Sequence, residues 1–343
     1  YGDAEPMDVL RTEIMAGQSP DLFAFYSDGN QAPPLAPRAV CADLRELLPD
    51  VTEDSLLPGL FDLLTQDGAL YVLPLTVRVD TLIMPSNLID SPGVTLEDLE
   101  TAREKMPEDW VPVDSWNTPG NLFGLTAAFC IGRFVDRETG TCRFETQEFI
   151  DILDWCKNWG GDGSMPEAPE KTLMKLGWIS SLSWLASRGD IAKTWFDGAG
   201  YTYAGYPVGS GGSAYLVLAS LGVSTSCQNL AGAKAFLAYC FSCKQESGLP
   251  ANMEVLREEL AQYKLGNRTN WYGEPETISE ADEEKFMELL GSVTVLEGMD
   301  KSLEDILSEE ANAYFAGAAT AEQTARTIQS RASLYLQEQY PGA

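Results

Sequence analysis

An α/β fold divided into two units is the expectation, and three observations carry it. The chain has 343 residues, 44% of them hydrophobic, and a chain of that size outgrows a single core. Residues 215–219, Tyr-Leu-Val-Leu-Ala, are continuously apolar, as in a strand buried on both faces of a sheet. Elsewhere apolar residues recur at helical spacing behind cap residues, and the two patterns interleave without repeats, low-complexity tracts or long linkers.

The elements follow in chain order. Met7, Leu10 and Ile14 mark a helix stopped at Gly17, and a strand follows over Asp21 to Tyr26. Thr95 to Asp98 has the pattern of a capping box, with an acid at the third helical position. Thr146 is placed to cap a helix with Phe149, Ile152, Leu153 and Cys156 on its inner face, ended by Gly160-Gly161. From Tyr203 to Asn252 the chain reads as a short strand, a glycine loop, the apolar strand, and a helix capped by Asn229. That helix carries Phe236, Leu237, Cys240 and Phe241, and Gly248 and Pro250 end the run. Ser302 to Asp305 and Thr320 to Gln323 predict two further helix starts.

Composition excludes more than it assigns. A net charge of −29, with 23 basic against 52 acidic residues, leaves no surface for tracking phosphates and disfavours nucleic acid and anionic membranes. It is the solvated surface of a protein kept soluble by its charge, with a role in attracting cations as the minor alternative. Histidine is absent, so Ser-His-Asp and Cys-His nucleophilic machinery and His-ligated zinc are excluded. A carboxylate-pair mechanism needs no histidine and stays open. The seven cysteines mostly sit in apolar runs and read as buried free thiols, with a Cys130–Cys142 disulfide as the alternative. No window approaches eighteen uninterrupted apolar residues. No basic, apolar leader begins at Tyr1, so an export signal is expected to lie outside this sequence.

Four stretches, in order, carry a resemblance. They are LRTEIMAGQSPDLFAFYSDG (Leu10 to Gly29), DGALYVLPLTVRVDTLIMPSNLI (Asp67 to Ile89), the Gly205-Tyr206-Pro207 to Gln245 segment, and ANAYFAGAATAEQTARTIQSRASLYLQEQ (Ala311 to Gln339). Together they resemble the extracellular solute-binding proteins of bacterial ABC importers, the group that includes maltose-binding protein. The resemblance implies a two-lobed, periplasmic-binding-protein-like type II fold with crossing hinge strands. Lobe 1 would take residues 1–83 and 206–246, and lobe 2 residues 84–205 and 247–343, with hinges near Met84, Gly205 and Gly248. Members of this group begin with a strand, helix and strand that have no counterpart here, so the first lobe is expected to be incomplete, with an exposed sheet edge.

The ligand of such a fold lies between the lobes, and position proposes the residues that line it. At the rim of the first lobe they are Phe25, Tyr26 and Asp28. In the second they are Trp116, Asn117 and Trp184; at the hinge, Tyr206 and Ser210; and Trp271 stands in a polar stretch as a lid contact. Each has a plainer reading: Tyr26 and Trp184 as packing groups, Asp28 as a turn residue, Trp271 as cover for a helix. Aromatic faces stack on the C–H surface of a sugar while amides and carboxylates bond its hydroxyls. The resemblance therefore implies the non-enzymatic binding component of an ABC importer for a sugar or oligosaccharide, with a membrane permease as partner. It would be a monomer without cofactor or metal, and extracellular, either lipid-anchored or periplasmic. A polyamine, peptide or other polar solute is the alternative, and a carboxylate-pair glycoside hydrolase the remote one.

Overall fold

Apolar runs bounded by glycine and proline form one central sheet. The computed structural model describes residues 13–14, 16–27, 40–66, 68–136, 139–209, 211–245, 247–270, 272–298 and 301–339. The strands are β1 (Leu22–Tyr26), β2 (Leu73–Pro85), β3 (Val111–Val113), β4 (Val135–Asp136), β5 (Thr141–Cys142), β6 (Thr172–Ile179), β7 (Tyr201–Tyr203), β8 (Ser213–Val223), β9 (Leu249–Pro250), β10 (Arg268–Thr269), β11 (Pro275–Glu276) and β12 (Val293–Leu296). The main sheet runs β1-β8-β2-β6-β3, with β12 added to β8 and with β7 and β9 added to β2. Its spine is the antiparallel pair β2 and β8, registered from Leu73↔Leu221 to Asp80↔Ala214. β1 lies antiparallel to the end of β8, and β12 parallel to its start. The apolar run 215–219 thus falls inside β8, as its composition predicts.

Most of the expected caps are present. Thr95 and Asp98 close a capping box on the helix Leu96–Glu104. Thr146 caps Gln147–Trp159, and Asn229 caps Leu230–Ser242. Thr320 and Gln323 exchange two bonds at the start of Ala321–Gln339. The helix Lys301–Phe315 already includes Ser302, so that serine stands inside the first turn rather than capping it. All seven cysteines are free thiols. Cys142 contacts Ser333 and Gln329 rather than Cys130, so the alternative disulfide is not formed.

The sheet separates its neighbours by side-chain parity. On one face Val77 and Val79 of β2, with Tyr215, Val217, Leu221 and Val223 of β8, pack into a first core. Leu60, Leu237, Leu256 and Phe286 complete that core from the surrounding helices, and Leu57 from the turn before Leu60. On the opposite face Leu82, Met84 and Ala214 enter a second core with Phe123, Phe134, Phe149, Trp159, Leu307 and Ile328. A small third cluster, Phe23, Phe25 and Cys41, covers the far end of that same face. Helices Met253–Lys264 and Glu280–Gly291 send their buried side chains into the first core. The change of core near the C-terminus therefore falls between Val293 and Leu303.

Candidate functional site: a groove across the central sheet

The second face of the sheet is apolar at both ends and polar in the middle, and this strip is the floor of the candidate site. Arg78 and Asp80 of β2 pair in register with Leu216 and Ala214 of β8, and Asp80 lies opposite Trp178 of β6. The strip is bounded on one side by the second core and on the other by the Phe23/Phe25/Cys41 cluster. A charged pair two residues apart inside a long apolar strand is the sequence signal for it. Both side chains leave the same face of the strand.

The wall beside β6 is held by a tightly packed loop. Trp116 sits 6.1 Å from Trp178, centroid to centroid, with the rings tilted at 54°, and remains 36% exposed. The loop is fixed from three directions. Ser115 donates its N–H and hydroxyl to the Glu170 carboxylate at 2.7 and 2.5 Å. Gly160 and Gly161 press so closely on Pro119 and Ser115 that a Cβ at either would collide with backbone. Asp114, at the start of the loop, is ion-paired with Lys175 of β6, whose Nζ also lies 4.6 Å from the centre of the Trp195 ring. Burial pushes the Asp114 carboxyl up and the Lys175 amine down, each against the attraction of the other. The next residue, Asn117, is 1% exposed, and neither atom of its amide has a hydrogen-bond partner.

At the second-core end of the floor lies a buried charged cluster. The Arg78 fork donates to Asp80 through Nε and Nη2, each at 2.6 Å. Glu297, just beyond β12, is 6% exposed and hydrogen-bonds Asp80, while its Oε1 has no partner. The Tyr206 hydroxyl beside them is fully buried and unpartnered, and its ring stacks on Phe129 at 5.0 Å. Burial together with the nearby Asp80 and Glu297 carboxylates holds that hydroxyl firmly protonated.

The structure distributes the expected site residues unevenly. Trp116 is partly exposed against Trp178, whereas Asn117, its neighbour in sequence, is buried. Tyr26 is 76% exposed at the end of β1, whereas Phe25 is buried and stacked on Phe23. Trp184 is partly buried against the first core, in the short helix Leu182–Ala186 capped by Ser181. Tyr206 is buried beneath the floor rather than presented on it. Asp28, Ser210 and Trp271 lie outside the described residues. Sequence reasoning missed Arg78, Asp80, Trp178, Lys175 and Glu297. The first two carried the strand-parity signal above. Glu297 carried none, because only the crossing after β12 brings it to β2. Among the described residues no group of acidic or cysteine side chains is arranged to hold a metal ion.

Residues 1–247 match the family model described as bacterial extracellular solute-binding protein. The chain belongs to that family. A search of curated proteins finds no significant match. Among solved structures, this solute-binding protein is similar to the sugar-binding protein MalE from Xanthomonas citri, with a TM-score of 0.64 and 15% identity over 97% of this chain and 88% of that one. It is also similar to a family 1 extracellular solute-binding protein from Alicyclobacillus acidocaldarius, at 0.61 and 13% over 96% and 87%. A third is the cyclic alpha-maltosyl-1,6-maltose binding protein of Arthrobacter globiformis, at 0.58 and 14% over 97% and 88%. At such identities the likeness establishes the fold, and it is the periplasmic-binding-protein-like fold that the resemblance implied. The family binds solutes and does not transform them. No helix among the described residues is long and apolar enough to cross a membrane.

Proposed function

We propose that this solute-binding protein captures a sugar or oligosaccharide in the groove and presents it to the membrane permease of an ABC importer. The observation that carries the reading is the Trp116–Trp178 pair beside the buried, unpartnered amide of Asn117. An aromatic pair offers a stacking surface for sugar C–H groups, and an amide offers a donor and an acceptor to adjacent hydroxyls. A buried amide without partners is costly unless something completes it. Two of the structural neighbours described above are named for binding sugars, which supports the same class. The two-lobed division is kept, with its boundaries drawn where the packing changes: lobe 1 around the first core and the Phe23/Phe25 cluster, lobe 2 around the second. The protein acts as an extracellular monomer, lipid-anchored or periplasmic.

A cationic solute such as a polyamine is the second reading, favoured by the net charge of −29. Thermal-shift screening with malto-oligosaccharides and spermidine separates the two, because a ligand at a hundred times its Kd stabilises by about 2.7 kcal/mol. A saccharide that raises Tm and quenches tryptophan fluorescence, with the quench lost in Trp116→Ala, supports the proposal. A shift with spermidine alone selects the second reading, and hydrolysis of a glycoside without any shift refutes both.

A further inference from the structure

We infer that Arg78, Asp80 and Glu297 form a proton-linked latch, in which one shared proton holds together two segments that feed both cores, β2 and the crossing after β12. Arg78 and Asp80 lie on β2, which sends Val77, Val79 and Ile83 into the first core and Leu82 and Met84 into the second. Glu297 lies between Leu296, packed on the first core, and Leu303 in the second, and the Tyr206 hydroxyl beside them bonds neither carboxyl. A rearrangement of the cores relative to one another must move these segments, so whatever bonds them at one point resists it.

The charge count requires the proton. Two buried carboxyl groups, Asp80 at 0% and Glu297 at 6% exposure, share one guanidinium. That guanidinium is engaged in a bidentate fork with Asp80. Two carboxylates in hydrogen-bond contact cannot both be ionised without a cation between them. Protonated Glu297 donates to Asp80 and removes the surplus charge. Among the described residues, the charged and titratable groups facing Glu297 are Arg78 and Asp80 from β2 and Tyr206 from the loop before β8. The neighbours from β8, Ala214 and Leu216, and Phe129 behind Tyr206 do not titrate. Burial, and then the Asp80 charge, push the Glu297 carboxyl well above the usual range.

The sign follows from linkage. The folded chain holds this proton more tightly than the unfolded chain, so the latch is fully formed below the ordinary glutamate pKa of about 4.3 and is lost as pH rises through the raised folded value. The consequence for solute capture, a closure that depends on pH, rests on the function proposed above; the latch itself does not. The test uses the whole chain without solute. Tm is followed from about pH 5 to about pH 8 for the wild type and for Glu297→Gln, which keeps the shape and a donor to Asp80 but cannot ionise. The wild type is expected to lose Tm relative to Glu297→Gln as pH rises. Parallel pH profiles overturn the latch. Should Glu297→Gln not fold, the infrared C=O stretch of a protonated carboxyl in the wild type at about pH 7, where an ordinary glutamate is ionised, decides the matter. Its presence supports the latch and its absence refutes it.

Discussion

Buried polar side chains around the Trp116 loop separate binding from stability. Asn117 makes no internal side-chain bond, so Asn117→Ala should leave the urea midpoint almost unchanged. It should weaken saccharide affinity roughly tenfold, the worth of about one hydrogen bond. The Lys175–Asp114 pair behaves in the opposite way. Both groups are buried, and each is strained by that burial. Asp114→Ala leaves an ammonium uncompensated and should cost about 3–5 kcal/mol in urea unfolding, while Lys175→Met combined with Asp114→Leu should cost less than either single change. A double-mutant cycle by urea titration checks this. At this scale the sequence was informative about residue type and poor about partners. The Ser-Trp-Asn run offers an aromatic and an amide, but nothing near Trp116 announces its partner Trp178, which is supplied by a strand some sixty residues later.

Glycine and cap chemistry set the shape of the elements. Gly161→Ala would drive a Cβ into the Ser115 carbonyl, and overpacking of this kind costs about 1–3 kcal/mol. Because the clash lies in the loop that carries Trp116, the substitution should lower both Tm and saccharide affinity, whereas Thr95→Ala, which removes a cap on a helix away from the groove, should cost about 1 kcal/mol and leave affinity intact. Calorimetry of the two variants distinguishes them. Gly205 and Gly248 were both readable as turning points, and both have positive φ, 76° and 88°, with backbone or Thr76 where a side chain would go. Caps were equally legible, since a cap is a bond between residues three apart. Ser302 was misread because a Ser-x-x-Asp spacing also occurs inside a helix that starts one residue earlier.

For the molecule as a whole, charge and connectivity make separate predictions. A net charge of −29 repels itself in the compact state, so Tm should rise as salt is raised toward about 0.15 M, where the screening length falls to about 8 Å. A Tm that falls over this range would contradict it. β2 and β8 feed both cores, with Val79 and Leu82 only three residues apart. The cores should therefore unfold in one transition, and tryptophan fluorescence should coincide with circular dichroism because Trp155 and Trp159 report on the second core and Trp110 on the first.

The sequence by itself determined the fold class, the family, the main strands and caps, and the exclusion of histidine chemistry, because each rests on composition or on patterns spanning a few residues. Tertiary structure alone decided which core claims each helix, that Phe25 and Tyr206 are buried, and that Arg78, Asp80 and Glu297 meet. Those outcomes depend on strand register and on crossings between distant segments. A one-residue change of register would turn every side chain of β2 to the other face, and no local pattern fixes which distant strand lies opposite.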